Sequence, residues 1–364
     1  MKTRWLASFT VLLALLISLG LAPGSARAAA RPQTGTMIVL RGKIDKQNIT
    51  MNLTRTGNQI AGTYRYNRIG KDIPVSGTVD TEGKITLKEF GAGGDRPTGF
   101  FKGTWQDADE EPGISLYGDW SKTENNPAPL NFFASEDVLD SSLKIEPVQI
   151  LQTLPRPKLT VDATYPRIVG STNPNAEKFN LLMKTEITKM VADFKKEIIA
   201  NGPPPKGMGT ENSFDAGYTV MYADENIVSV SVNISPYYAG AAHPSHEIQT
   251  YNYDLKTGKL WALVDLFKPA TYYLDYISRL CTDDLSARLK PDGDGGMGSD
   301  PEWVRNGAAA NPDNYRSWNI SRKGLVISFP PYQVASYADG PKYVTIPFSK
   351  LKNLISPEGP LAGF

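Results

Sequence analysis

Residues 48–66 read NITMNLTRTGNQIAGTYRY, and this stretch decides the fold of the first half of the chain. Its apolar residues Ile49, Met51 and Leu53 alternate with polar ones. That is the period-2 pattern of a strand with one buried face. Residues 56–58 then turn the chain, and the residues that follow return as a second strand. The stretch therefore predicts a β-hairpin.

Short strands of the same kind continue from Thr36 to about Phe133. A weak repeat within them places a glycine two residues before a large β-forming residue, at Gly62, Gly77, Gly103 and Gly118. Glycine within a strand marks a bend or a close approach of two backbones, and a sheet needs such points to curl. We therefore expect an eight-stranded antiparallel meander curled into a barrel or half-barrel. A filled interior is favoured over a hollow one, because side chains alone can fill so small a barrel.

The second half combines helix and strand patterns. Apolar residues recur at helical spacing from Phe179 to Ile198, where Asn175 is the expected N-cap, and again from Tyr273 to Leu289. We expect both helices to pack on one face of an antiparallel sheet, which makes this half an α+β domain. The predicted strands are residues 214–223, 227–235, 246–254, 260–261, 318–321, 325–329 and 343–347.

The N-terminus has the order of charged, apolar and small residues that is typical of a secretory signal peptide. Positive charges at Lys2 and Arg4 precede the apolar residues 11–22, and small residues follow at 25–30. The apolar run is short of the ~20 residues of a membrane-spanning helix. Neither a twin arginine nor a lipobox cysteine is present. We therefore expect a periplasmic or secreted protein with no stable membrane anchor after cleavage; the alternative is an uncleaved N-terminal anchor.

Length and composition limit the number of domains and the classes of partner of the remaining chain. At ~150 residues per domain it is long enough for two domains. The net charge of +1 favours neither nucleic acid nor an anionic membrane as a partner. The single cysteine, Cys281, excludes an internal disulfide, and we expect it to be buried. The predicted organisation is a signal peptide at 1–30, a β-rich domain at 31–137, a proline-containing linker at 138–157 and an α+β domain at 158–364.

The second half resembles a family of exported domains of unknown function. Four blocks carry the resemblance: Tyr165-Pro166 with Asn180; residues 238–244; residues 252–259 with 265–267; and residues 329–332 with Tyr337, Gly340 and 344–347. Relatives form the extracellular part of lysozyme-sensing anti-sigma factors and precede the catalytic domain of a peptidoglycan deacetylase. The first half resembles a β-rich module of exported bacterial proteins, through residues 62–66, 77–80, 83–89 and 99–103. The resemblance of the second half implies recognition of a wall component or of lysozyme rather than catalysis, and the resemblance of the first half brings no catalytic motif.

Two motifs have some likeness to metal sites. His243, His246 and Glu247 spell His-x-x-His-Glu, but a zincin needs its histidines four residues apart on a helix. Asp292 and Asp294 begin an acidic glycine-rich loop that has no glutamate at the twelfth position of a calcium loop. We expect no metal, no cofactor and no catalytic residue. A triad of distant residues stays open, although no Gly-x-Ser-x-Gly elbow is present.

Aromatic residues of the second half are the candidate binding residues. Tyr237, Tyr238, His243, Tyr332 and Tyr337 lie in or beside two turn-rich blocks. Tyrosine combines a large apolar face with a polar tip, a mixture favoured at interfaces. A purely structural role for Tyr332, pinning its loop onto the core, stays open.

These observations predict a non-enzymatic recognition protein of the bacterial cell envelope, whose partner is lysozyme or a cell-wall glycan. A second hypothesis is a hydrolase of envelope polymers that uses His243 with a nearby carboxylate. A third is a carrier of a small apolar ligand in the N-terminal barrel.

The signal peptide generates the first testable prediction. Ala26/Ala28 and Ala28/Ala30 are the two candidate −3/−1 pairs, so the exported protein should begin at residue 29 or 31. Intact-mass spectrometry of protein from the periplasm or medium measures this directly. A full-length chain retained in the membrane fraction would instead support the uncleaved anchor.

Overall fold

The protein is described from a computed structural model that covers residues 35, 37–91, 94, 96–107, 113–140, 143–202, 209–289 and 301–364. The predicted signal peptide at 1–30 and the acidic glycine-rich loop at 291–299 lie outside the described residues, and both stay predictions. Among the described residues, no helix combines the length and the apolar character needed to cross a membrane.

Eight strands of the first half form a closed antiparallel barrel in which each strand pairs with its neighbours in sequence and β8 closes onto β1. The predicted meander is therefore confirmed. The strands β1–β8 are Met37–Ile44, Gln47–Thr56, Gln59–Tyr66, Ile73–Val79, Lys84–Phe90, Pro97–Gln106, Ser115–Ser121 and Leu130–Glu136.

The repeated glycines lie where neighbouring barrel strands approach most closely. A Cβ atom at Gly77 would lie 2.0 Å from the carbonyl oxygen of Thr86, and one at Gly103 would lie 2.1 Å from that of Tyr117. No real Cβ atom fits at such distances, so these two positions require glycine. This explains the repeat as a requirement of tight curvature.

Side chains fill the barrel interior. Phe101 lies edge-to-face between Tyr64 and Phe132, with ring centroids 5.3 and 5.1 Å apart. Near them the buried carboxylate of Glu89 accepts hydrogen bonds from the Tyr64 hydroxyl at 2.5 Å and from Trp120 Nε1 at 3.2 Å. These neutral donors compensate the burial of the carboxylate.

A six-stranded sheet follows the barrel, in the order β14-β13-β12-β11-β10-β9. Its strands β9–β14 are Lys144–Pro155, Lys158–Val169, Asn212–Ala223, Ile227–Tyr237, Glu247–Asp254 and Lys259–Leu260. Helix α1, Pro174–Asn201, connects β10 to β11. These two strands run parallel, whereas the other pairs are antiparallel. The sheet is therefore mixed rather than purely antiparallel, because a helical crossover joins parallel neighbours.

Helix α1 begins slightly earlier than the sequence analysis predicts. The N-cap is Asn173, whose side chain accepts a hydrogen bond from the backbone NH of Asn175 at 2.9 Å. Asn175 lies inside the first turn, and its side-chain amide donates to the carbonyls of Leu255 and Lys256. The prediction of Asn175 as the N-cap is therefore wrong: Pro174 takes the N1 position, which suits proline, and the cap falls on the residue before it.

The two long helices pack on different sheets. Helix α2, Tyr273–Arg288, shares a core with a three-stranded antiparallel sheet of β15, β16 and β17, whereas α1 packs on the six-stranded sheet. The α+β class is confirmed, but the expectation that both helices share one sheet face is wrong. The strands are Trp318–Ile320, Leu325–Phe329 and Lys342–Ile346, and the short helices α3 and α4 are Pro301–Gly307 and Phe348–Leu351.

The segment 138–157, expected as a linker, contains a regular strand. Strand β9 pairs with β10 along its whole length, from Lys144 opposite Val169 to Pro155 opposite Lys158. Its prolines are compatible with a strand because β9 is the edge of the sheet. The chain is extended here, as the prolines predict, but it belongs to the sheet. The division into domains at these residues stays a prediction.

A buried ion pair joins the barrel to the second half. The Arg41 side chain, on β1, contacts the carboxylate of Asp137 just after β8, and their side chains are 10% and 0% exposed. The second carboxylate oxygen of Asp137 accepts the backbone NH of Val220 on β11 at 3.0 Å. Arg41 also donates to the carbonyl of Ile145 on β9 at 2.8 Å. One pair of side chains therefore fixes the barrel to two strands of the large sheet.

This pair generates the second prediction. Asp137→Ala leaves Arg41 buried without its counter-charge, so the free energy of unfolding should fall by about 3–5 kcal/mol. The measurement is urea denaturation followed by circular dichroism. Asp193→Ala is the matched control, because it removes the same group from an exposed pair with Lys189 and should cost less than about 1 kcal/mol. Equal losses in the two variants would contradict the assignment.

Candidate functional site

Three of the five predicted binding residues meet at one place on the surface. His243 lies in the loop between β12 and β13, whereas Tyr332 and Tyr337 lie in the loop between β16 and β17. The loops come from two different sheets. We call these three side chains the aromatic cluster.

The rings of the aromatic cluster are in direct contact. His243 stacks on Tyr337 with ring centroids 3.8 Å apart and planes inclined by 22°. The hydroxyl of Tyr332 lies 3.2 Å from Nε2 of His243. The centroids of Tyr332 and Tyr337 are 5.6 Å apart. These ring contacts join the two loops.

A hydrogen bond places a proton on Nδ1 of His243. Its Nδ1 and the hydroxyl of Tyr337 both lie 2.8 Å from the carbonyl oxygen of Pro244. A carbonyl oxygen only accepts hydrogen bonds, so both groups donate to it. Nε2 of His243 is left to form the hydrogen bond with the Tyr332 hydroxyl.

Tyr332 is held in an unusual backbone conformation. Its φ of 71° lies in the left-handed region, which is rare for a bulky residue and costs of order 1–3 kcal/mol. The backbone NH of Tyr332 donates to Ala335 O at 2.9 Å, and Trp303 Nε1 donates to Tyr332 O at 2.7 Å. Tyr332 is nevertheless 54% exposed. Its backbone is therefore held by neighbouring residues while more than half of the residue surface stays exposed.

Tyr237 and Tyr238 do not join the aromatic cluster. The hydroxyl of Tyr237 donates to the carbonyl of Ala241 at 3.1 Å and closes its own loop. Tyr238 turns towards α1, where its hydroxyl donates to Glu197 at 2.8 Å and its ring packs on Phe194. Burial and the contact with Glu197 raise the pKa of Tyr238 to about 12. Both residues serve the local structure of the loop.

The His-x-x-His-Glu motif does not assemble into a metal site. Across the described residues, no group of three or more His, Cys, Asp or Glu side chains is arranged to hold a metal ion. His246 lies apart from the aromatic cluster, beside the barrel, and its Nε2 is buried with no hydrogen-bond partner in the described part of the chain. Burial lowers the pKa of His246, so its ring is neutral near pH 7. The acidic residues Asp292 and Asp294 of the predicted calcium loop lie outside the described residues.

The arrangement that a His243-dependent hydrolase needs is not found in the described residues. Both ring nitrogens of His243 face other groups, a backbone carbonyl and a tyrosine hydroxyl. No hydrogen bond or ion pair between His243 and a carboxylate occurs within the described ranges. A general base needs an orienting partner and a free nitrogen towards the substrate.

Sequence reasoning missed two features near these residues. One is Trp303, whose indole supports Tyr332 from a distant helix; nothing local in the sequence connects the two. The other is a cleft between the barrel and the large sheet, lined by Asp215, Gly217 and Thr219. The alternation of these residues with the apolar and aromatic side chains at 214, 216 and 218 was a signal, because it marks one face of β11 as polar.

A family model matches the part of the chain that carries the second loop of the aromatic cluster. Residues 264–349 match the family "Protein of unknown function (DUF3298)", and this range includes Tyr332 and Tyr337 but not His243. Over 179 residues the chain is 24% identical to the peptidoglycan-N-acetylmuramic acid deacetylase PdaC of Bacillus subtilis strain 168. That alignment covers 49% of this chain and 36% of the deacetylase, so the chain spans well under two thirds of the relative.

Two solved structures are also similar to this chain. A DUF3298 family member from Bacteroides fragilis is 18% identical, with coverage of 61% of this chain and 96% of that one and a TM-score of 0.40. A DUF3298 family protein from Pseudomonas aeruginosa PAO1 is 13% identical, with coverage of 60% and 96% and a TM-score of 0.42. The match of residues 264–349 confirms the predicted resemblance of the second half to a domain family of unknown function, and the predicted similarity to a peptidoglycan deacetylase is also confirmed.

The stacking of His243 on Tyr337 generates the third prediction. Tyr337→Ala removes the stacked ring and the hydrogen bond to Pro244, so the free energy of opening of the 238–246 loop should fall by about 1–2 kcal/mol. Hydrogen exchange at the amides of Ala241 and Ser245 measures this. Tyr337→Phe is the control, since it keeps the ring and should give a smaller change. Unchanged exchange in Tyr337→Ala would show that other contacts hold the loop.

Proposed function

We propose that this protein is an exported, non-enzymatic recognition protein of the bacterial cell envelope, and that the aromatic cluster binds lysozyme or a peptidoglycan-related ligand. The observation that carries the proposal is the exposed, stacked arrangement of His243, Tyr332 and Tyr337. Export rests on the predicted signal peptide.

The geometry of the aromatic cluster supports binding. Tyrosines at a surface are frequent binding hot spots, because each buries a large ring while its hydroxyl stays hydrogen-bonded. Tyr332 is more than half exposed, yet its backbone and hydroxyl are both held by neighbours. Because Tyr332 is already held in place, a partner that covers its ring would remove little further conformational entropy from this side chain. Such preorganisation favours affinity.

The similarity to the deacetylase supports a wall-associated partner. By its name that enzyme acts on peptidoglycan, and it shares a 179-residue stretch with this chain. The stretch is only 36% of the enzyme, so we do not propose deacetylase activity for this chain. We propose only that it associates with the wall.

A hydrolase and a carrier of a small apolar ligand have less support than a recognition protein. His243 lacks a carboxylate partner in the described residues, since its ring nitrogens contact a backbone carbonyl and a tyrosine hydroxyl. Side chains such as Phe101 fill the barrel, which leaves little space for an apolar ligand inside it.

The fourth prediction is a binding experiment on the chain from residue 31 to 364. The isolated segment 158–364 is unsuitable, because it would lose the edge strand β9. Titration against lysozyme and against soluble peptidoglycan fragments should give micromolar or tighter binding to one of them. Tyr332→Asn removes the ring while asparagine tolerates the left-handed conformation. We expect this substitution to weaken binding at least about tenfold, or about 1.4 kcal/mol.

Tyr272→Ala is the matched control for this experiment. Tyr272 is 84% exposed and lies outside the aromatic cluster, so its removal should leave the affinity unchanged. Equal binding by the Tyr332→Asn variant and the parent chain would show that the aromatic cluster is not the binding surface. Absence of binding to both partners would overturn the proposed function.

A further inference from the structure

A cleft of about 430 Å³ lies between the outside of the barrel and the large sheet. Its volume is within the roughly 300–1,000 Å³ typical of small-molecule sites. The barrel contributes Lys43 and Phe133, whereas the sheet contributes Gly217, Thr219 and Asn233. The cleft continues into a smaller one of about 190 Å³, and the two share residues 135, 219 and 233.

The sheet wall of this cleft is polar because of strand alternation. On β11 and β12, residues such as Val230 and Val232 face the core beneath α1. Their neighbours in sequence point to the opposite face, and three polar residues of these strands, Thr219, Asn233 and Ser235, line the cleft. Hydroxyl and amide groups both donate and accept hydrogen bonds. The wall is therefore suited to a ligand with many hydroxyls.

One buried polar atom at the cleft has no partner among the described residues. It is Nε2 of His246, a residue that lines the cleft. A buried polar atom without a partner is costly, and a polar ligand would supply the missing hydrogen bond.

Gly217 keeps the floor of the cleft open. A Cβ atom built at Gly217 meets no atom within 4 Å. The glycine is therefore not required by backbone packing, in contrast to Gly77 and Gly103 in the barrel. Glycine is unfavourable within a strand. A strand glycine that faces open space therefore marks a position where a ligand can approach the backbone closely.

The charges at the cleft balance one another. Lys43 Nζ lies 3.4 Å from a carboxylate oxygen of Asp215. The Arg41 guanidinium pairs with Asp137 and donates hydrogen bonds to oxygen atoms of residues 50 and 145. The carboxylate of Asp162 nearby accepts from the side chains of residues 48 and 149. The ionic groups are thus paired, and this argues against a strongly anionic or cationic ligand.

An aromatic face lies at the rim of the cleft. Phe133 lines the cleft and is 53% exposed, and its cross-strand partner Tyr117 is 47% exposed. Aliphatic C–H groups on one face of a sugar ring pack against such side chains, while its hydroxyls need the polar partners described above. Exposed aromatic pairs on a barrel exterior are also costly to leave in water.

We propose that the cleft between the barrel and the large sheet binds an uncharged oligosaccharide, with Thr219 and Asn233 as hydrogen-bonding residues and Phe133 as the stacking residue. This site is separate from the aromatic cluster, and the inference does not depend on the proposed function. His246 supplies a further hydrogen bond through its buried Nε2.

The fifth prediction tests this site by calorimetric titration of the 31–364 chain. The probes are cello-oligosaccharides and chito-oligosaccharides, and the charged comparison is carboxymethylated cello-oligosaccharide. We expect one neutral series to bind, and the carboxymethylated form to bind more weakly. Gly217→Phe should fill the cleft and weaken binding at least about tenfold, with little change in the melting temperature because the added side chain enters open space.

Gly209→Phe is the matched control. A Cβ atom at Gly209 also meets nothing within 4 Å, but Gly209 does not line the cleft. The Gly209→Phe variant should therefore bind oligosaccharide like the parent chain. Asn233→Ala is a second cleft variant, and it should also weaken binding. It keeps the test decisive if Gly217→Phe fails to fold. Tyr272→Ala should also leave oligosaccharide binding unchanged, because this exposed tyrosine lies outside both the cleft and the aromatic cluster. The proposal is overturned if neither neutral series binds, if the carboxymethylated form binds best, or if binding survives in both cleft variants.

Discussion

The contact between Arg41 and Asp137 is the constraint on which the arrangement of this protein depends. Both side chains are buried, and each also forms a hydrogen bond with the backbone of a different strand: Asp137 accepts from Val220 on β11, and Arg41 donates to Ile145 on β9. A buried ion pair is tolerated only when such partners are complete. Because these partners are backbone groups at defined positions, the pair sets how the barrel meets the large sheet. The cleft between them follows from this junction.

The large sheet can carry two different surfaces because its faces are chemically distinct. Below α1, its side chains form a continuous apolar core. On the opposite face, a buried polar group of Ser229, Asn252 and Asn319 joins the large sheet to β15, through bonds of 2.7 and 3.0 Å at the serine hydroxyl. Buried polar networks of this kind fix one packing geometry in preference to others. His243 and Tyr337, carried by loops of the two sheets, can stack at 3.8 Å because this packing holds the sheets together.

The sequence by itself was enough to predict the barrel, the α+β class, the two long helices and the strands of the second half from β11 onward, but not β9, β10 or the short helices α3 and α4. These features depend on the spacing of apolar residues along one segment, as in Ile49, Met51 and Leu53, and such spacing is a local property. The sequence also identified His243, Tyr332 and Tyr337 as candidate binding residues, because of their residue types and their turn-rich surroundings.

Only the tertiary structure decided which segments meet. The parallel pairing of β10 with β11, the separation of α1 and α2 onto different sheets and the inclusion of β9 in the large sheet all depend on contacts between distant residues. The same holds for Arg41 with Asp137, 96 positions apart, and for Tyr332 with His243, 89 positions apart. No periodicity in the sequence encodes such pairs, because their free energy arises from burial and hydrogen bonding that exist only once the elements have packed.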